Sequence, residues 1–275
     1  MQRLSMPMSI RVTIAGIAGR MGRALTAAAR GDARFELVGG TERAGHELIG
    51  LDLGLLDGKV MTGYRINETV SDACQHANVW IDFTNPAATI AALTALEGTS
   101  ASAAIIGTTG FESDQMARIC DLSQKLVIVQ SGNFSLGVNL VAGLVRQAAA
   151  RLGPDWDVEI LETHHRHKLD APSGTALMLG HAVAEGRGVA HDAVARFARH
   201  GHSGPRIAGD IGYAVLRAGG IIGDHEVMFA SEDEIVTLAH RASSRTIFAK
   251  GALAAAAWAD NQQPGLYSMD DVLGL

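Results

Sequence analysis

The stretch Ser9-Ile10-Arg11-Val12-Thr13-Ile14-Ala15-Gly16-Ile17-Ala18-Gly19-Arg20-Met21-Gly22 decides the fold. Ile10, Val12 and Ile14 alternate, so Ser9 to Ala15 predicts a buried strand. Met21 to Arg30 predicts a helix, and Phe35 to Gly40 a second strand. Gly16 permits a tight turn between strand and helix. Gly19 lets backbone approach a pyrophosphate, and Gly22 lets helix and strand pack closely. The helix start adds N–H donors and a favourable dipole. Strand, glycine turn, helix and strand in this order open a dinucleotide-binding domain.

The second strand runs into Thr41-Glu42-Arg43, about twenty residues beyond Gly22, where such folds read the ribose. A carboxylate there takes a ribose 2′-hydroxyl and an arginine takes a 2′-phosphate. Both are present, so these residues predict use of NADH and NADPH.

Further along, Leu48 to Asn67 predicts an irregular excursion with one weak strand. Val79 to Phe83, Ala103 to Ile106 and Leu126 to Gln130 predict strands, with helices from Pro86 to Glu97 and Glu112 to Gln124. Short apolar runs between helices predict a parallel sheet covered on both faces. Two loops fall at carboxyl ends of these strands, where open α/β sheets bind ligands. They are Gly107-Thr108-Thr109-Gly110 and Ser131-Gly132-Asn133-Phe134, with Phe134 expected to pack against a nicotinamide or to shape the pocket.

The pattern changes near Ser135. A helix from Val138 to Leu152, a strand from Val158 to Glu162 and a helix from Thr175 to Glu185 are followed by alternating strands at Tyr213 to Arg217, Glu226 to Ala230 and Glu234 to His240. Alternation predicts a sheet with two different faces. The fold class is therefore α/β, a Rossmann-like parallel-sheet domain (1–134 with 245–275) and a second, α+β domain (135–244). The Ala-rich helix from Thr246 to Ala259 is expected to return to the first domain.

Composition agrees. The 275 residues are 47% hydrophobic, 19% charged and 5% aromatic, enough for two cores packed mainly by aliphatic side chains. A net charge of -6 gives no electrostatic case for nucleic acid or an anionic membrane as partner. Cys74 and Cys120 are expected as buried thiols in a reducing cytosol. Met1 to Met8 lacks the apolar stretch of a signal peptide and reads as a disordered lead, and no apolar run is long enough to span a bilayer.

The chemistry concentrates in Glu162-Thr163-His164-His165-Arg166-His167-Lys168. Five adjacent groups that can carry positive charge repel one another unless something anionic visits. Pro172-Ser173 then predicts a helix start with Ser173 as N-cap, so the N–H groups of Gly174 and Thr175 and the Thr175 hydroxyl form an anion site. Cations beside a helix start suit a substrate with carboxylates, and histidine serves as an acid near neutral pH. No metal is expected, since no regular two-turn histidine spacing is present and Arg166 and Lys168 repel a cation.

The Gly-x-x-Gly-x-Met-Gly loop, the Gly-Thr-Thr-Gly loop, Asn133-Phe134-Ser135-x-Gly137-Val138-Asn139 and the run from Glu162 to Ala176 together resemble the 4-hydroxy-tetrahydrodipicolinate reductase (dihydrodipicolinate reductase) family. Arg217-x-Gly219-x-Ile221-x-Gly223-x-His225 and Ala242-Ser243-Ser244-Arg245 extend the resemblance to nearly the whole chain from Ile10. The resemblance implies reduction of a cyclic unsaturated dicarboxylate in lysine and diaminopimelate synthesis. It implies His164 as general acid and Lys168 as the catalytic lysine that binds and neutralises the substrate. His165, Ser173, Gly174 and Thr175 would hold a carboxylate. Gly16, Gly19, Arg20, Met21, Gly22, Glu42, Arg43, Phe83, Gly107, Thr109, Asn133, Phe134 and Arg245 would contact the dinucleotide. A homotetramer formed through second-domain sheets, hinge motion between domains and a cytoplasmic setting are implied as well. One position departs: relatives often carry arginine before the proline where this chain has Asn85-Pro86. Two other readings keep the glycine loop, a catalytically silent dinucleotide sensor and another amino-acid-pathway dehydrogenase.

Overall fold

The computed structural model describes residues 9–58 and 60–275, so the lead from Met1 to Met8 lies outside the described residues. The first part of the chain alternates strand and helix: β1 (Ile10–Ala15), α1 (Arg20–Arg30), β2 (Phe35–Thr41), β3 (Ile66–Asn67), α2 (Val70–Ala73), β4 (Val79–Asp82), α3 (Pro86–Leu96), β5 (Ala103–Ile106), α4 (Ser113–Leu122) and β6 (Val127–Gln130). Then come α5 (Leu136–Leu152), β7 (Asp157–His164), α6 (Gly174–Arg187), α7 (His191–Val194), β8 (Ala195–Arg196), β9 (Ile211–Arg217), β10 (Asp224–Ala230) and β11 (Ile235–Arg241). The tail forms α8 (Thr246–Ala259), β12 (Gly265–Tyr267) and α9 (Met269–Leu273).

Contacts divide the chain into two units, one of residues 1–134 with 248–274 and one of residues 135–247 with Leu275. In the first, seven strands run in the order β12-β6-β5-β4-β1-β2-β3, every pair parallel. β4 and β5 are buried along their whole length, as strands covered on both faces must be. Val12, Ile14, Ile81 and Ile105 belong to one apolar cluster, and Trp80, Ala104 and Ile106 to the other. Successive strand residues thus feed opposite faces. The Ala-rich α8 packs in the first cluster through Ala249, Ala252, Leu253, Ala255 and Ala256. A Cβ at Gly251 would lie 1.6 Å from the Phe134 carbonyl oxygen, so only glycine lets this helix approach that closely.

The excursion between β2 and β3 is ordered by one carboxylate. Asp52 is buried and accepts N–H groups from Gly54, Thr62 and Gly63 at 2.7–2.9 Å. Its pKa is lowered, chiefly by the Thr62 N–H.

The second unit has a five-stranded sheet in the order β11-β10-β7-β9-β8, with β10 antiparallel to both neighbours and the other pairs parallel. Burial alternates along β7 and β10. α5 and α6 contribute Ala142, Val145, Leu179 and Val183 to a core with Val158, Ile160, Val227 and Phe229 of the sheet.

Three expectations change. β7 reaches His164, two residues beyond the strand expected to end at Glu162, because it pairs with β10 through Thr163 and with β9 through His164. The short β8 and β12 lack apolar runs long enough to be read from sequence. Cys74 is buried, its thiol pushed by desolvation to about 12, but Cys120 is exposed; neighbouring Ile119 and Leu122 of α4 turn inward instead. Among the described residues, no helix is long and apolar enough to cross a membrane.

Candidate functional site

In the first unit, Gly16 takes a φ of +56°, which an L side chain rarely adopts. A Cβ at Gly22 would meet the Gly16 oxygen at 2.3 Å and Ile17 Cα at 2.6 Å, so α1 starts hard against the turn. Gly19 is the N-cap residue and makes no side-chain cap. Gly19 and Arg20 are exposed, whereas Met21 leans partly on the core. The Glu42 carboxylate accepts the Ala18 N–H at 2.8 Å and so holds the turn in place. Arg43 is exposed beside it.

Two clefts of about 480 and 380 Å³ meet here, both lined by Gly16, Glu42, Arg43 and Thr84. Each is of the size that holds part of a cofactor. Their residues fit a dinucleotide: backbone exposed at Gly19, a helix start beside it, and a carboxylate and guanidinium at the end of β2. Asn85 accepts the Ala88 N–H at 3.1 Å as N-cap of α3, so the asparagine here has a local structural use.

Beneath the clefts, Asp82 is 1% exposed. It accepts the Thr84 N–H at 2.9 Å, the Thr84 hydroxyl at 2.6 Å and the Thr108 hydroxyl at 3.5 Å. One carboxylate thus ties the loop after β4 to the Gly-Thr-Thr-Gly loop. Sequence reading gave Asp82 no role, for which an acidic residue ending an otherwise apolar strand was the available signal, and quoted Thr108 only as part of its loop. Gly107 is glycine because a Cβ would fall 2.0 Å from the Phe83 ring. Phe134 is almost wholly buried, its ring centroid 5.4 Å from that of Phe83. Its contact is with Phe83, which lines the smaller cleft. Thr109 is exposed and Asn133 half-buried on the two neighbouring loops.

The second unit holds the other group. Glu162 and His164 are two apart on β7, so both face the same side of the sheet. The Glu162 carboxylate hydrogen-bonds His164 Nδ1 and accepts the Ser173 N–H at 2.9 Å. Arg217 approaches both oxygens at 2.9 Å. Burial pushes the Glu162 carboxyl up, but the bonds from Arg217, His164 and Ser173 outweigh it and hold it below the ordinary range. Ser173 caps α6 by accepting the Ala176 N–H at 3.1 Å, and its hydroxyl also meets His225 Nε2 at 3.0 Å. His225 is cross-strand from Glu162. Its burial, with His164 close by, lowers its pKa to about 4, so it is neutral at pH 7.

Lys168 pairs with the exposed Asp170 at 2.9 Å. The expected crowd of unpaired cations is thus partly answered by Glu162 and Asp170, carboxylates of its own neighbourhood. His165 is held toward its neutral form, first by desolvation and then by Arg245 and nearby cations. Gly174 is exposed at the start of α6, with Thr175 half-buried next to it. Arg245, expected among the dinucleotide residues, lies in this unit with Nη2 at 3.2 Å from His165 Nε2. Arg217 and His225 were quoted in the motifs without a role; only strand pairing across more than fifty residues brings them to His164.

Ligand atoms of Glu162, His164 and His225 lie within 4.8 Å of one another. The carboxylate is already neutralised through both oxygens by Arg217, which would repel a metal ion.

Comparison with known proteins follows the same division. Residues 10–134 match the family model described as dihydrodipicolinate reductase, N-terminus, and residues 137–273 the one described as its C-terminus. The chain is 49% identical over 271 residues to a 4-hydroxy-tetrahydrodipicolinate reductase of Parvibaculum lavamentivorans, covering 98% of this chain and 100% of the relative. It is 48% identical over 264 residues to that of Dinoroseobacter shibae, covering 96% and 98%. A solved dipicolinate-bound dihydrodipicolinate reductase from Paenisporosarcina sp. superposes with a TM-score of 0.72 at 27% identity, covering 95% of this chain and 98% of that one.

Proposed function

The chain belongs to the dihydrodipicolinate reductase family, and from that premise we propose that it uses NADH or NADPH to reduce dihydrodipicolinate, derived from 4-hydroxy-tetrahydrodipicolinate, to tetrahydrodipicolinate. The product feeds lysine and diaminopimelate synthesis in the cytoplasm. The observation that carries this reading within the chain is the buried Glu162–His164 pair beside the capped start of α6. A buried imidazole beside a capped helix start supports the reading of an acid next to a carboxylate site, which a nucleotide sensor has no use for.

When bound, the reduced nicotinamide supplies a hydride to one carbon of the conjugated C=C–C=N system. The neighbouring carbon then needs a proton, and His164 gives it from Nε2. Lys168 holds a substrate carboxylate. Its present partner, Asp170, is 61% exposed, and exposed ion pairs are worth little, so a substrate carboxylate displaces it readily. His165, Ser173, Gly174 and Thr175 receive the second carboxylate with help from the α6 dipole. Gly16, Gly19, Glu42 and Arg43 hold the nucleotide, with Glu42 serving NADH and Arg43 serving NADPH. The same reading assigns the outer face of the second sheet, with exposed Leu161, Leu216 and Ile235, to assembly as a homotetramer.

Steady-state kinetics of two variants test the roles. His164→Ala is expected to lower kcat about 10²- to 10⁴-fold, and Lys168→Ala to raise KM as well as lower kcat. Kinetics like the parent enzyme in both variants contradict the assignment.

A further inference from the structure

We propose that Glu162 is the positioning residue of the site: it fixes the tautomer of His164 and, with the same carboxylate, pins the start of α6. The inference rests on the reductase reading for its kinetic consequence only; the tautomer is a property of the protein alone.

The argument starts from strand geometry. Because β7 continues to His164, Glu162 and His164 share a face, and the carboxylate reaches the near nitrogen of the ring, Nδ1. A carboxylate that is ionised accepts only, so the hydrogen between them belongs to Nδ1. Glu162 is kept ionised by Arg217 through two hydrogen bonds and by the Ser173 N–H. Arg217 is itself anchored, donating to the Leu216 and Asp170 carbonyl oxygens at 2.7 Å. The carboxylate therefore cannot turn away from the ring without breaking several charge-assisted bonds.

The far nitrogen is then the one that exchanges protons. A Cβ at Gly223 would lie 3.0 Å from His164 Nε2, so glycine at that position keeps the Nε2 edge clear of a side chain. In the proton-transfer step the Nε2–H bond breaks and its electron pair stays on Nε2. The substrate carbon forms a C–H bond with the pair that hydride addition left there. The ring passes from imidazolium to the neutral form with hydrogen on Nδ1, and the Glu162 contact persists throughout. No proton moves to Glu162, whose work is to stabilise the imidazolium and to keep its orientation.

The same carboxylate holds the Ser173 N–H at 2.9 Å, so the acid and the carboxylate-binding helix start share one anchor. A change at Glu162 is thus expected to disturb turnover strongly and dicarboxylate binding moderately, and nucleotide binding not at all.

The test uses histidine-labelled full-length protein and two-bond nitrogen–proton NMR at alkaline pH, with His164→Asn identifying the resonance. In the parent protein His164 is expected in the Nδ1–H tautomer; an Nε2–H tautomer overturns the proposal without any variant being made. Glu162→Gln is expected to shift His164 toward the Nε2–H tautomer, since the amide presents a donor, and to lower kcat about a hundredfold or more. Dipicolinate binding should weaken less than tenfold and NADH affinity stay within twofold. A folded Glu162→Gln protein that keeps the parent kcat and tautomer refutes the proposal. Failure of the parent protein to reduce substrate sinks the reductase reading instead and leaves the NMR result to stand alone.

Discussion

Arg217 and Glu162, on adjacent parallel strands, meet fork to fork, Nη1 to Oε2 and Nη2 to Oε1 at 2.9 Å each. The carboxylate is 1% exposed and the guanidinium 20%. Removing the guanidinium strands a buried negative charge. Arg217→Ala is therefore expected to cost about 3 kcal/mol in denaturant melts, the low end for a buried pair because Arg217 is partly solvated. Arg217→Lys recovers only part, since a single ammonium cannot bridge both oxygens. A loss below about 0.5 kcal/mol in Arg217→Ala would mean the pair behaves as a surface bridge.

Acid stability follows from the same cluster. His225 has a folded pKa of about 4 against an ordinary 6.5. Between those values the unfolded chain binds more protons, so stability falls as pH drops through that window. Glu162, with its pKa lowered, adds stability that is present above the ordinary carboxylate range and lost only as pH falls through its folded value. Thermal melts from pH 7 to pH 4.5 cover this window, to which His165, His181 and His240 also contribute because burial lowers their pKa values, so His225 is read from the difference between variant and parent. His225→Asn is expected to show a shallower loss of Tm over that range, and equal slopes would contradict the assignment.

Gly107→Ala and Gly22→Ala probe the first unit. The methyl would land 2.0 Å from the Phe83 ring in one and 2.3 Å from a backbone oxygen in the other. A ring can swing aside and a backbone turn cannot. Both should lose about 1–3 kcal/mol, with the larger loss at Gly22, and both should weaken nucleotide binding in fluorescence titrations. Unchanged affinity in Gly22→Ala would move the nucleotide away from this turn.

Arg43→Ala should weaken NADPH about tenfold or more, the worth of one charge-assisted bond, and change NADH little. Equal losses argue against contact with a 2′-phosphate. Asn85→Arg removes the α3 cap, costing about 1 kcal/mol, and places a cation beside the cleft; its expected signature is tighter NADPH at lower Tm.

Much of this was legible along the chain because it is local. The turn from Gly16 to Gly22 needs small residues at fixed spacing, and Ser173 caps the helix that it precedes. The parallel strands are plain apolar runs, and the Ala-rich α8 had no other home than the first unit's core. What stayed hidden is set by pairing at a distance. Arg217 reaches Glu162 only because β9 lies beside β7, and His225 only because β10 lies on the other side. The extension of β7 to His164 was missed for the same reason, since its last residues are polar and are held as strand by their neighbours. Arg245, a nucleotide contact by resemblance, lies against His165, a neighbour eighty residues away that its local sequence does not announce.

The most direct test is oxidation of NADH and of NADPH, followed by nicotinamide absorbance, with 4-hydroxy-tetrahydrodipicolinate generated in the cuvette. The account predicts rapid oxidation that depends on substrate with either nucleotide, and its near-complete loss in His164→Ala. No oxidation by folded protein that still binds nucleotide would contradict it and leave a dinucleotide-binding protein of another purpose.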